Sequence, residues 1–203
     1  SRCTPAGMTM QNALDDWHSV APTLQKLSDD LNARAVKGEA FDPKKCAAPL
    51  PRAYQILDGS AYLSHVRLTR KSRGAEMPPE FEHDPLMYQA VSDTILGPCD
   101  PIPAASVDLG VDYEAEVAVI VDDTPMGVSP EEAADHIIMV LLMNDVTLRT
   151  LAKNELAKGF GFVNTKPPSA STPVAVTPDE LGGAWKGGKL HLPVLAHLNG
   201  KQI

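Results

Sequence analysis

Asp112-Tyr113-Glu114-Ala115-Glu116-Val117-Ala118-Val119-Ile120-Val121 sets two carboxylates at i and i+2 ahead of a β-branched apolar run. Alternate side chains of a strand share a face. If residues 113–121 form a strand, Glu114 and Glu116 project together, Ala118 and Ile120 continue that face, and Val117, Val119 and Val121 line the other. Two half-buried anions this close repel, which calls for a shared proton or a cation between them, usually a hard divalent metal. The alternative is an exposed strand end whose two acids face water.

Downstream, Asp122, Asp123, Pro125 and Gly127 make a turn, and Ser129-Pro130-Glu131-Glu132 is a capping box that starts a short helix. Ile137-Ile138-Met139-Val140-Leu141-Leu142-Met143 has no polar side, reads as a buried strand, and delivers Asn144-Asp145 to its end. Thr147 is placed to cap a helix running to about Lys158, and Gly159, Gly161 and Pro167-Pro168 force an open loop around Lys166. Pro173-Val174-Ala175-Val176 is a further strand, and Leu190 to Leu198 another, ahead of the hairpin signal Asn199-Gly200. Only Lys201-Gln202-Ile203 remain for the return strand, so the expectation is a fragment that stops inside an element. Strand 190–198 would then keep an open edge, with an incomplete core beside Val194 and Leu195.

Upstream, the apolar steps Leu14, Trp17, Val20, Ala21, Leu24, Leu27 and Leu31 predict a helix with one buried stripe, which Pro22 must kink or divide. Gly38 and the prolines at 43, 49 and 51 turn it into an extended connector. The division is therefore a helical appendage with connector over 1–50 and a main body over 51–203. Tyr54 to Leu57 is a short strand, and Asp58-Gly59-Ser60 a turn with Asp58 at its tip, where an Asp commonly serves the backbone. Thr69 to Pro85, basic, polar and carrying Met77-Pro78-Pro79, reads as an exposed mobile lid; the prolines and Gly97 from Pro85 to Pro103 imply an irregular path with Tyr88 its largest side chain, and Ile102 and Val107 mark edge strands.

The composition, 43% apolar over 203 residues, allows a real core, and the pattern of elements is α+β, predominantly β. A net charge of −8 without a basic cluster argues against nucleic acid. No apolar run is long enough for a membrane span. Cys3, Cys46 and Cys99 are far apart and unpaired in pattern, so a reducing compartment, the cytoplasm, is the simple reading.

Asp112-Tyr113-Glu114-Ala115-Glu116, then Met143-Asn144-Asp145-Val146-Thr147-Leu148-Arg149, then Lys166 ahead of Ser169-Ala170 and Pro173-Val174, together resemble the fumarylacetoacetate hydrolase family, in matching order over about residues 54–203. The resemblance implies a mixed β-sandwich roll, usually a homodimer, holding Mg²⁺ or Ca²⁺, with Mn²⁺ possible. Carried over by position, Asp58, Glu114, Glu116 and Asp145 are metal ligands, His65 the general base, and Lys166 a catalytic and substrate-contacting group. Tyr88 and Arg149 are further substrate contacts.

All-oxygen ligands suit these ions and leave room for a chelating substrate, a diketo or 2-keto acid. Lys166 and the metal would stabilise an enolate while His65 takes a proton from water, giving hydrolytic carbon–carbon cleavage. The same step serves 2-keto acid decarboxylases, isomerases and hydratases, and a non-catalytic binding module remains the alternative from another class. Two departures leave the substrate open: Ala152 stands where the fumarylacetoacetase branch has a Gln, and Ser60 where it has a Tyr. The family's C-terminal segment, with a carboxylate that orients the His, has no counterpart before Ile203, so a 203-residue piece is expected to be nearly inactive.

Overall fold

The computed structural model describes residues 8–72 and 74–203. Two helices come first, α1 (Met10–Asp15) and α2 (Trp17–Asn32). The expected continuous helix does divide, but at Asp16 rather than Pro22. Thr9 caps α1 in a reciprocal box with Asn12, and the new start at Trp17 leaves Pro22 in the second turn of α2, where its missing N–H forfeits one hydrogen bond.

β1 (Ile56–Gly59) pairs antiparallel with β2 (Met87–Ala90), Asp58 standing opposite Tyr88. Asp58 is thus a strand residue, not a turn tip, and the irregular path expected around Tyr88 contains a strand. Between them α3 (Leu63–Ser72) occupies the start of the expected lid. Leu63 to Ser72 holds no Gly or Pro and includes good helix formers, so the helix continues past Thr69 into that stretch. Arg67 meets Glu82 at 3.3 Å and the Arg70 guanidinium lies 4.4 Å from the Phe81 ring centroid, tying α3 to the 3₁₀ turn Pro79–Glu82. Arg73, within that stretch, lies outside the described residues, as do residues 1–7 of the appendage and Cys3 with them. Val107 falls in a 3₁₀ turn, Val107–Leu109, and Ile102 in no strand.

β3 (Val111–Asp112) leads into β4 (Ala115–Val121), and α4 (Pro130–Ala133) carries the capping box as read, Ser129 with Glu132. β5 (Ile137–Asn144) is the buried strand and pairs with β4 along its whole length. Thr147 lies in β6 (Thr147–Leu148), paired with β3, so α5 (Arg149–Leu156) starts from Leu148 and not from a Thr147 cap. β7 (Ala170–Ser171) adds to the other edge of β5, giving the order β4-β5-β7. Ile138, Met139, Val140, Leu141, Val146 and Leu148 are the heart of the core.

The expected strand 173–176 is reduced to a bridge between Val176 and Val140. In place of one strand over 190–198 there are two hairpins, β8 (Trp185–Lys186) with β9 (Lys189–Leu190), and β10 (His197–Leu198) with β11 (Lys201–Gln202). Pro193 cannot donate to a ladder, which ends the first pairing. Asn199 and Gly200 take φ of 51° and 78°, the mirror-turn geometry that a two-residue hairpin demands. Val194 and Leu195 are exposed. Among the described residues no helix is long and apolar enough to cross a membrane, and Cys46 and Cys99 are free.

Candidate active site

Strand register assembles the acids. Glu116 pairs with Met143, and the ladder continues past the strand ends through Asp145 N–H donating to the Glu114 carbonyl at 2.9 Å. Directly opposed residues share a face, so Glu114, Glu116 and Asp145 lie on one side of the sheet. Asp58 arrives from β1 through its neighbour Tyr88, whose hydroxyl is 2.9 Å from Asp145 Oδ2 and 3.3 Å from Asp58 Oδ2. Ser169, two residues before the β7 partner of Met143, donates to Asp145 Oδ1 at 3.4 Å.

A cation does stand between Glu114 and Asp145, and it is the chain's own. Lys166 is 7% exposed, its Nζ donating to Glu114 Oε2 at 2.8 Å and to Asp145 Oδ2. Burial favours the neutral amine, but the two carboxylates outweigh it and hold the ammonium's pKa above its usual value. Arg149 forks between Asp112, at 2.8 Å from Nε, and Glu114, so it braces a carboxylate rather than standing open. Burial raises the Glu114 pKa, yet Lys166 and Arg149 together bring it below the usual range.

The other two acids lack such partners. Glu116 is pushed up to about 7, first by burial and then by the charges of Asp58, Glu114 and Asp145. Asp58 rises to about 6, from burial and from Asp145, in spite of Lys166. Burial and the same aspartates move the Tyr88 phenol well above its ordinary value, so it remains a donor.

Among the described residues no three His, Cys, Asp or Glu side chains form a ready ligand set. The donor chemistry nevertheless fits a hard cation: four carboxylates, oxygen only, with more negative charge than Lys166 and a shared Arg149 neutralise. The cluster opens on a cleft of about 1310 Å³ whose lining includes Asp58, Glu116 and Asp145 together with Leu14 and Trp17 of the N-terminal helices.

His65 is not part of this assembly. It lies exposed on α3, and among the described residues no hydrogen bond or ion pair ties its ring to the carboxylates. Two contributors were not singled out from the sequence. Glu155 on α5 accepts from Asn164 N, Asn164 Nδ2 and Thr165 N at 2.8, 3.1 and 3.0 Å, clasping the residues just before Lys166. Phe162 packs on Tyr88 with ring centroids 4.6 Å apart. The Gly159-Phe160-Gly161-Phe162 pattern was the available signal for the second, while a solvated helix Glu offers none for the first.

Comparison with known proteins bears on the family and the fold. The family profile described as fumarylacetoacetate (FAA) hydrolase C-terminal matches residues 55–203, and that described as fumarylacetoacetase N-terminal domain 2 matches residues 1–52. The chain is 29% identical over 135 residues to a 2,4-didehydro-3-deoxy-L-rhamnonate hydrolase of Sphingomonas sp., covering 65% of this chain and 46% of that protein. It is 30% identical over 112 residues to an oxaloacetate tautomerase of Bacillus subtilis, covering 54% of this chain and 35% of the relative. A solved Mycobacterium smegmatis structure described as an HpcE protein superposes with a TM-score of 0.52 at 18% identity, over 85% of this chain and 57% of that one, which supports the mixed α+β fold. The chain spans less than half the length of these two curated relatives.

Proposed function

Because this chain belongs to the fumarylacetoacetate hydrolase family, we propose that the protein hydrolyses a carbon–carbon bond in a diketo acid of the fumarylacetoacetate or acylpyruvate type. The observation that carries this reading is the buried Lys166 ammonium, held by Glu114 and Asp145 within a group of four carboxylates. Asp58, Glu114, Glu116 and Asp145 would hold Mg²⁺ or Ca²⁺, or Mn²⁺ in their place, and the ion would supply positive charge to the oxygens of the keto acid.

The chain's own groups do the rest. An ammonium has three donors, and two of those on Lys166 go to Glu114 and Asp145, which leaves one for a substrate oxygen where negative charge develops. Tyr88 keeps its proton and donates it to Asp145, which fixes the orientation of that carboxylate. Arg149 braces Glu114 so that its carboxylate does not swing away. Water enters the acyl carbonyl, the bond between that carbon and the enolate carbon breaks, and the enolate carbon takes up a proton, leaving a carboxylic acid and a keto acid.

A second reading, keto–enol isomerisation of a 2-keto acid, is favoured by one observation. Hydrolysis needs a base for water, and His65, the family-matched candidate, sits exposed on α3. Isomerisation needs only a proton moved at the enolate carbon, and one of the curated relatives is an oxaloacetate tautomerase.

One assay separates the two. The purified protein is given acetylpyruvate, fumarylacetoacetate and enol-oxaloacetate, with Mg²⁺ and with EDTA. Mg²⁺-dependent release of pyruvate or of fumarate supports the hydrolase; loss of the enol absorbance alone supports the isomerase. No turnover of any of them by the full-length protein sinks both readings and leaves a binding module.

A further inference from the structure

The Lys166 ammonium has aromatic neighbours as well as acidic ones. The centroids of Tyr88 and Phe162 lie 5.6 and 5.8 Å from Nζ, and the two rings meet at an interplanar angle of 59°. They come from separate elements, Tyr88 from β2 and Phe162 from the loop after α5. Phe162 has φ 68°, a left-handed conformation that Cβ sterics disfavour for a bulky residue, while Gly159 beside it takes 75° at little cost.

The loop is apolar where a surface loop is usually polar. Phe160 and Val163 are 82% and 80% exposed, and of this run Phe162 is the side chain that packs against the site. Glu155 clasps the following residues, Asn164 and Thr165, so the ring's position is held from the far side too. Backbone strain of this kind persists only where the surroundings determine it, and it gathers at ligand sites. The outcome is a fixed cation beside a contiguous pair of aromatic rings. A keto acid that engages Lys166 from the side of these rings lays its next atoms against them, where an alkyl or aryl group gains contact and a second carboxylate loses its water.

Resting on the keto-acid reading of this site, we propose that Phe162 is a specificity-determining residue that, with Tyr88, selects keto acids bearing an uncharged apolar acyl group over those ending in a second carboxylate. The test uses the Mg²⁺-loaded protein with acetylpyruvate, butanoylpyruvate, benzoylpyruvate and fumarylpyruvate. Wild-type kcat/KM is expected to rise along the first three and to be lowest for fumarylpyruvate. Phe162→Ala should raise KM for benzoylpyruvate about tenfold with kcat nearly unchanged, the size of effect that a lost apolar contact has. It should spare acetylpyruvate, and Phe162→Leu should recover most of the loss. Phe160→Ala, on the exposed neighbour, is expected to behave as wild type.

An equal loss on every substrate, no change on any, or a wild-type preference for fumarylpyruvate overturns the proposal. If none is turned over, calorimetric binding of pyruvate and benzoylpyruvate to wild type, Phe162→Leu and Phe162→Ala makes the same comparison. In that case the hydrolase reading fails by itself, and Phe162 stands only if its loss weakens benzoylpyruvate and not pyruvate; equal binding by all three proteins overturns it. Should Phe162→Ala fail to fold, the Leu variant, expected to show the same ranking more weakly, decides.

Discussion

Lys166 and His65 are the two residues to which the proposed hydrolysis assigns an ammonium and a base, and the fold treats them in opposite ways. The Lys166 side chain is held by Glu114 ahead of β4 and Asp145 after β5, while Glu155 on α5 clasps the backbone just before it. His65 belongs to α3, which Arg67 and Arg70 tie to the 3₁₀ turn Pro79–Glu82, and its ring stands exposed. A buried charge must be specified from several directions, because leaving it unpaired costs more than the fold can spare. An exposed imidazole needs only its helix. The lysine is therefore fixed among the carboxylates, whereas the histidine ring stands exposed on α3 with no bond to them among the described residues.

Removing the lysine is expected to have the largest effect. Lys166→Met should lower kcat on the order of 10³-fold and leave the acids without their internal counter-charge, destabilising the protein by about 3 kcal/mol in denaturant titrations. Mg²⁺ should return part of that stability. A variant as stable as wild type in EDTA would show that the ammonium is not what holds the acids together.

Next comes the divalent ion. At about a hundred times its Kd, Mg²⁺ should stabilise the wild type by about 2.7 kcal/mol. Glu116→Gln and Asp145→Asn should each lose most of that gain, read as the shift in Tm with and without the ion. An undiminished shift in both variants places the cation elsewhere.

The clasp on the lysine loop should show itself in acid. Hydrogen bonds from Thr165 first, and from Asn164, hold the Glu155 carboxyl at about 2, against its ordinary 4.5. A carboxyl depressed in the fold contributes stability that is fully present above the unfolded value and is lost as pH falls through the folded one. Stability should thus decline between about pH 4.5 and pH 2, and Glu155→Gln should flatten that limb. With Lys166 less well placed, the same variant should lose about tenfold in kcat. An unchanged acid limb would remove Glu155 from the account.

The smallest change is expected at the histidine. His65→Ala should alter stability by less than about 0.5 kcal/mol, as surface substitutions do, and leave enol–keto exchange nearly as it was. A hundredfold loss of pyruvate release in the same variant would instead show that α3 closes over the substrate, and would favour hydrolysis over isomerisation.

Much of this site could be read before the fold was seen, wherever the signal was local. The i, i+2 spacing of Glu114 and Glu116, the unbroken apolar run 137–143 and the Ser129–Glu132 box each depend on neighbours within a turn or along one strand, and each formed as read. Errors arose where local signals competed. Asp58-Gly59 resembles a turn until β2 pairs with it, and Thr147 resembles a cap until β3 claims it. The stretch from Thr69 reads as a lid on its charge, yet α3 runs on through its first residues to Ser72, where no Gly or Pro stops it.

Alternation along the chain determined, from sequence alone, that two acids share a face, and the unbroken apolar run 137–143 that Asp145 follows a buried strand. Which cation stands between them was decided only in three dimensions. Lys166 lies 52 positions from Glu114 and 21 from Asp145 on a long flexible side chain, so no spacing rule predicts where its nitrogen goes. The pairing of β4 with β5, the return of the chain along β7 and the clasp of Glu155 on Thr165 bring that nitrogen to the acids. The physical reason is that a charge can be buried only where its counter-charges already are, and strand register, not sequence distance, sets that place.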